Sequence, residues 1–232
     1  MRSHPSTLAS SELEALRCLD TCLVANAIET FEERLRSEGY ADNSVRCLLP
    51  QLGVMVGYAA TIKVRGSAVS TTGYLYGENT AWWDYLNSLP QPRVVVVQDV
   101  STKVGLGSYV GAVHANMFKA MGCLGVVTNG SVRDLAAAEA MAFHLFAHGV
   151  AVSHAYMHVV DFDCSVEIAG LTVRSGALLH GDQHGFQTIP RDLVSKIPDA
   201  AEHIRKKEEA IIHLCKSPEF SVGKLREMLA KR

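Results

Sequence analysis

No apolar run in the chain approaches the ~18 residues that a bilayer-spanning helix needs, so no membrane span is expected. The first residues are polar, and no secretory signal is expected either. Neither sign of charge is in excess: 22 Lys and Arg against 24 Asp and Glu leave a formal charge of −2. Long Lys/Arg blocks are absent, which removes the electrostatic footprint of a nucleic-acid partner. Six cysteines in 232 residues are too few and too scattered for a disulfide scaffold. Cys18 and Cys22 lie four apart on an expected helix, but a zinc site usually wants two close ligand pairs. Buried free thiols in a reducing cytoplasm are the expectation.

What the chain does have is apolar content, 48% of its residues. That suffices for one sizeable core over residues 1–232 with helices at both ends, and no second domain is required. Residues 1–10 read as an arm, and Ser11 to Arg36 as one or two helices. Leu52 to Val64 reads as a strand in which Gly57 admits a neighbouring backbone, and a Ser/Thr/Gly-rich loop follows from Ser67 to Gly73. Trp82, Trp83, Tyr85 and Leu86 fall on a helix running into Pro90. Because the surrounding chain is not basic, they suit core packing or a subunit contact better than a base-stacking platform. Gly149 to Val160 and Ser165 to Val173 alternate like strands. His180 to Gly185 reads as a turn before a last strand, Phe186 to Ile189, and Asp199 to Leu214 and Val222 to Leu229 read as amphipathic helices.

The middle of the chain alternates more regularly. Arg93 to Val100 is a β-branched run, as in a parallel strand covered on both faces. Ala112 to Met121 is helical, with Gly122 placed for a left-handed cap. Leu124 to Val127 fits a buried strand, Asn129-Gly130 is a turn signal, and Leu135 to Ala142 is again helical. In such a β-α-β unit both strand-to-helix loops leave the same carboxyl edge of the sheet. Gly111 and Arg133 should therefore face one crevice.

The residue types there suggest chemistry. Amides heading the helix at Ala112 lack intrahelical partners and sit at the positive end of its dipole, which suits a carboxylate or phosphate. Arg133 offers a planar fork for a carboxylate. Asp134 would suit a hard divalent cation, or would simply cap its own helix. A cation at a helix N-terminus opposes the dipole, so Arg133 calls for another role. His114 could bond a ligand or move a proton, or else pack beneath the loop. His144, His148, His154, His158, His180 and His184 tempt a metal reading. On one strand, however, His154 and His158 would stand about 13 Å apart, too far to share an ion.

The turn Gly130-Ser131-Val132-Arg133-Asp134, preceded at this distance by a helix headed by Gly111, resembles the RraA-like family. The resemblance runs from about Asp20 to Pro190 and includes Val56 to Thr61 and Gly181 to Gly185. That family contains 4-hydroxy-4-methyl-2-oxoglutarate aldolases, which also decarboxylate oxaloacetate, and the regulator of ribonuclease E activity. The resemblance implies an α/β fold, a swivelling β/β/α domain with a core of about residues 20–190 and a C-terminal helical extension of about 199–232. It also implies a cytoplasmic homotrimer or homohexamer. Carried across, it puts substrate binding on Gly111, Ala112, Val113, His114 and Arg133, catalysis on Arg133 and Asp134, and a divalent cation, Mg²⁺ or Mn²⁺, on Asp134. The implied activity is a metal-dependent, class II-like lyase that releases pyruvate from a 4-hydroxy-2-oxo acid or oxaloacetate, with a small oxo acid and no nucleic acid or membrane as partner. The alternative is a non-catalytic protein that binds and inhibits a ribonuclease; the intact Arg-Asp pair favours the enzyme. Two departures bear on the substrate: many members carry an acid where this chain has Ala112, and an aspartate where it has Asn129. Both changes should make the crevice mouth less negative and more tolerant of a second carboxylate, with which a protonated His114 could pair.

Overall fold

The computed structural model describes residues 7–67 and 80–230. The expected loop of Ser67 to Gly73 falls outside the described residues from position 68, as do residues 1–6 of the expected arm. The N-terminal stretch forms two helices, α1 (Ser10–Arg17) and α2 (Thr21–Glu29), because Asp20 caps the second: its Oδ1 accepts the Leu23 N–H at 2.9 Å. Cys18 therefore ends α1 while Cys22 lies in α2, and both are exposed. All six thiols are free, as expected, but only Cys123 is buried.

After the short β1 (Arg46–Cys47), Pro50–Leu52 forms a 3₁₀ turn, so the strand expected from Leu52 begins later, as β2 (Met55–Arg65). The helix α3 (Ala81–Ser88) buries Trp82 edge-on against Phe118, with ring centroids 5.4 Å apart. Then come β3 (Arg93–Asp99), β4 (Ser108–Val110), α4 (Ala112–Ala120), β5 (Cys123–Val132), α5 (Leu135–Ala140) and β6 (His144–Val150). The strand expected over Gly149 to Val160 is two pieces: β6 stops where its neighbour β5 stops, at the pair Val132–Val150, and β7 (His158–Phe162) starts afresh on β2. The chain closes with β8 (Val166–Ile168), β9 (Leu171–Val173), β10 (Leu178–Asp182), β11 (Gly185–Ile189), α6 (Ile197–Lys216) and α7 (Val222–Ala230).

Among the described residues, nine strands form one sheet in the order β1-β6-β5-β3-β2-β10-β11, with β4 added on β5 and β7 on β2. Its centre, β2-β3-β5-β6, is parallel, as the β-branched runs predict. In β3, Val95 and Val97 join the core under α3, α4 and α5, whereas Val94 and Val96 join a second core with Phe146, Phe186 and the β8-β9 hairpin. A strand covered on both faces has no polar side to show, and each such valine contributes about 1.5–3 kcal/mol by leaving water. A third core packs α1, α2 and the start of α6 on Val56, Tyr58 and Leu178.

The N-terminal helices are tied to β10 and β11 by buried polar groups. Asp182 Oδ2 accepts the Thr21 N–H at 2.8 Å, and Gln187 Nε2 donates to the Thr21 carbonyl at 2.8 Å. His180 lies between the Thr21 hydroxyl and the Leu16 carbonyl, 3.1 Å from each. A carbonyl only accepts, so His180 Nε2 carries the proton and Nδ1 accepts from the hydroxyl. The turn expected here is tighter than predicted, only Gln183 and His184 separating β10 from β11.

Gly57 meets the expectation of close approach, since a Cβ there would come within 2.8 Å of the Pro92 carbonyl oxygen. Gly57→Ala should lower stability by about 1–3 kcal/mol, the usual cost of overpacking. At Gly149 a Cβ would find nothing nearer than 4.0 Å, so Gly149→Ala should stay within about 0.5 kcal/mol. Urea unfolding midpoints check the contrast, and equal midpoints would contradict it.

Candidate active site

Strand β5 changes partner along its length. It runs beside β3 as far as the pair Val97–Thr128, then takes β4, pairing Ser108 with Ser131 and Val110 with Val132. The Asn129-Gly130 turn expected from local chemistry does not form. Both residues stay within β5, where the register against β6 slips between Thr128 and Ser131. Because β4 and the end of β5 are parallel, their next residues emerge side by side, and the Arg133 N–H donates to the Val110 carbonyl at 3.0 Å. Gly111 and Arg133 thus share one crevice, as the β-α-β reading predicts.

The geometry is close. A Cβ on Gly111 would come within 2.6 Å of Asp134 Oδ2 and 2.8 Å of Arg133 Nε, so only glycine fits beneath the pair. Asp134 occupies the N-cap position of α5 in the left-handed region, φ +58° and ψ +45°, which costs a non-glycine residue about 1–3 kcal/mol. Its side chain makes no bond to α5 and caps the neighbouring helix instead: Oδ2 accepts the Ala112 N–H at 2.8 Å, at the head of α4. This corrects both simple readings, that Asp134 caps its own helix and that the Ala112 amide stands open. Arg133 Nε lies 3.7 Å from the same Oδ2, and its Nη1 donates to the Val152 carbonyl at 3.4 Å. Both contacts are long and both side chains are partly exposed, so the pair adds little stability and the guanidinium fork is available to an anion.

His114 lies on the predicted segment but points its ring into the core. It is 3% exposed, stacked between Tyr109 and Phe118 at 4.5 and 5.6 Å, and bonded to the Tyr109 backbone. Burial pushes its pKa down to about 4, with the Arg133 charge lowering it further and the Tyr109 bond opposing. The packed alternative therefore holds, and pairing of a protonated His114 ring with a distal carboxylate is corrected. Asn129 does not line the crevice mouth either: its Oδ1 accepts the Asp99 N–H at 2.7 Å and its Nδ2 donates to the Asp99 carbonyl at 3.1 Å.

Sequence reasoning missed Asp99 and Ser131. Asp99 is buried, its Oδ1 accepting from the Ser101 amide and its Oδ2 from the Gly105 amide, and Ser131 Oγ donates to the Gly105 carbonyl. An acid ending an otherwise apolar strand was the available signal. Around the crevice, Leu106, Val113, Val150, Val152 and Tyr156 are exposed apolar residues, Val152 by 98%. Among the described residues no group of three or more His, Cys, Asp or Glu could hold a metal. The single carboxylate of Asp134 fits a hard cation held mainly by water and ligand oxygens, not a closed protein cage.

Fold and site define an α/β protein with a partly exposed, loosely paired arginine and aspartate at the carboxyl edge of its parallel strands. The chain belongs to the Aldolase/RraA family, whose RraA-like model matches residues 21–187. A Halalkalibacterium halodurans protein named provisionally as a 4-hydroxy-4-methyl-2-oxoglutarate aldolase is 26% identical over 123 residues, 51% of this chain and 57% of that one. An uncharacterized protein of Methanocaldococcus jannaschii is 29% identical over 117 residues, 48% of this chain and 56% of its own. The chain thus spans about half the length of the curated relatives it matches. In fold it is similar to an uncharacterized Pseudomonas syringae protein, with a TM-score of 0.73, 20% identity and 98% of both chains covered. It is also similar to Streptomyces coelicolor RraAS2, described as an unusual member of the RNase ES inhibitor RraA protein family, with a TM-score of 0.68, 20% identity and coverage of 88% and 97%.

Two histidines should make the fold acid-sensitive. His144, whose Nδ1 lacks a hydrogen-bond partner, is also pushed to about 4, by burial first and Lys119 second. Both pKa values lie below the unfolded value of ~6.5, so the unfolded chain binds more protons. Stability is then full above pH ~6.5 and falls as pH drops toward 4, by a few kcal/mol for the two together. Urea titrations between pH 7.5 and 4.5 check this. The decline should shrink in His144→Leu, and a flat profile in the unsubstituted protein would refute it.

Proposed function

We propose that the protein is a divalent-metal-dependent carbon–carbon lyase that releases pyruvate from a 4-hydroxy-2-oxo acid or from oxaloacetate. The observation that carries the reading is the constellation at the crevice: the Arg133 fork, the Asp134 carboxylate and the head of α4 meet where two strand ends emerge together. Membership of a family that includes aldolases supports it, as does the provisional name of the Halalkalibacterium halodurans relative.

In this reading Arg133 grips the carboxylate of the 2-oxo acid bidentately and fixes its plane. Asp134 is the protein ligand of Mg²⁺ or Mn²⁺, with its Oδ2 already oriented by the Ala112 amide. A divalent cation held by Asp134 would supply Lewis-acid stabilisation of developing negative charge. The α4 dipole adds positive potential at the same place. Val113, Val150, which pairs with Val132, and Val152, whose carbonyl accepts from Arg133, are exposed apolar residues beside these charges, a surface that a neighbouring copy would dry by covering it.

Arg133→Ala should lower turnover by roughly 10²- to 10³-fold, the usual cost of a lost charge-stabilising donor, with an unchanged melting temperature. Continuous pyruvate detection with oxaloacetate and 4-hydroxy-2-oxo acids measures it. Near-normal activity in the folded variant would remove Arg133 from the mechanism.

Chelation should abolish pyruvate release and Mg²⁺ or Mn²⁺ should restore it. Asp134→Asn keeps an acceptor for the Ala112 amide but loses the charge, so added metal should not rescue it. Activity that survives exhaustive metal removal would overturn the metal role. Ribonuclease inhibition by protein that turns over none of these acids would overturn the lyase reading.

A further inference from the structure

The point at which β5 leaves β3 is closed by a side chain. Beyond Val97–Thr128 the two backbones no longer pair, yet Asp99, the last residue of β3, still has one N–H and one C=O to satisfy. Asn129 meets both, accepting from the amide at 2.7 Å and donating to the carbonyl at 3.1 Å. Its carboxamide stands in for a peptide group and continues the ladder by one rung. Among side chains of this length only asparagine carries donor and acceptor on one planar group; an ionised aspartate would set an acceptor against the Asp99 carbonyl.

From that rung, bonds run to both strands that lead to the crevice. The Asp99 carboxylate holds the amides of Ser101 and Gly105, which precede β4, and Ser131 Oγ on β5 holds the Gly105 carbonyl. Gly130 passes so near that a Cβ would lie 3.2 Å from Asp99 Cβ. β4 then ends at Val110 and β5 at Val132, the residues before Gly111 and Arg133. We propose that Asn129 is a positioning residue, a side-chain rung on Asp99 that sets Arg133 and Asp134 against the head of α4. Its effect on turnover rests on the lyase reading, whereas its effect on the position of the segment does not.

The test compares the unsubstituted protein with Asn129→Asp, which keeps shape but loses the donor, and Asn129→Ala, which removes both bonds. Hydrogen exchange by mass spectrometry should quicken about tenfold, one hydrogen bond's worth, in peptides covering residues 99–107 and 130–134, while α1 and α2 exchange as before. Pyruvate release from oxaloacetate with Mg²⁺ should fall in kcat by up to about 10²-fold, with KM moving less, as expected of misplaced catalytic groups. If Asn129→Ala fails to fold, the isosteric Asn129→Asp carries both measurements. Unchanged exchange over 130–134 would overturn the proposal whatever the substrate, and so would quickened exchange with unchanged kcat. Absence of pyruvate from the unsubstituted protein would strike the lyase reading alone, and exchange would still decide whether Asn129 holds the segment.

Discussion

The structure depends on one strand whose edge away from β6 serves two parallel neighbours in turn. β5 first completes the central sheet beside β3 and then, past Asn129, pairs with β4. Its first half is bound by burial on both faces, with Val126 in one core and Val127 in the other, beside β3 and β6. The second half pairs with β4 and β6 and leads directly into Arg133 and Asp134. Dividing the strand so lets Arg133 and Asp134 stand on a buried strand while they themselves stay partly exposed to water.

The buried polar groups follow the same division. Around Thr21, His180, Asp182 and Gln187 four bonds join the N-terminal helices to the sheet, and burial lowers the pKa of His180 against the opposing bond to Leu16. His114 is held neutral by burial as well, here beside aromatic rings. Neither ring is placed to change charge near pH 7. The charges available to the crevice are those of Arg133 and Asp134, both partly exposed and only loosely paired.

Much of this was legible in the sequence where one residue type reports directly on burial. Arg93 to Val100 and Leu124 to Val127 read as covered parallel strands because nothing else suits so many β-branched side chains, and Gly111 and Arg133 were placed together by topology alone. Asn129 was misread because Asn-Gly is a strong turn signal locally, whereas its partner here, Asp99, is distant in sequence and reached only once β3 and β5 align. The two readings of His114 stayed open for a similar reason: its position put it in the site segment, but which way a side chain in the first turns of a helix faces depends on the strand behind it. The same holds for Asp134, whose carboxylate caps a helix 22 residues upstream rather than its own.

That cross-helix cap also bears on how such a site can diversify. Asp134 recognises position 112 through the backbone amide, which every residue except proline supplies. The side chain at 112 is therefore uncoupled from the anchor: an acid there or the alanine of this chain leaves the carboxylate bound as before. A lineage can explore new substrates at this position one substitution at a time without passing through a form that has lost its aspartate's footing.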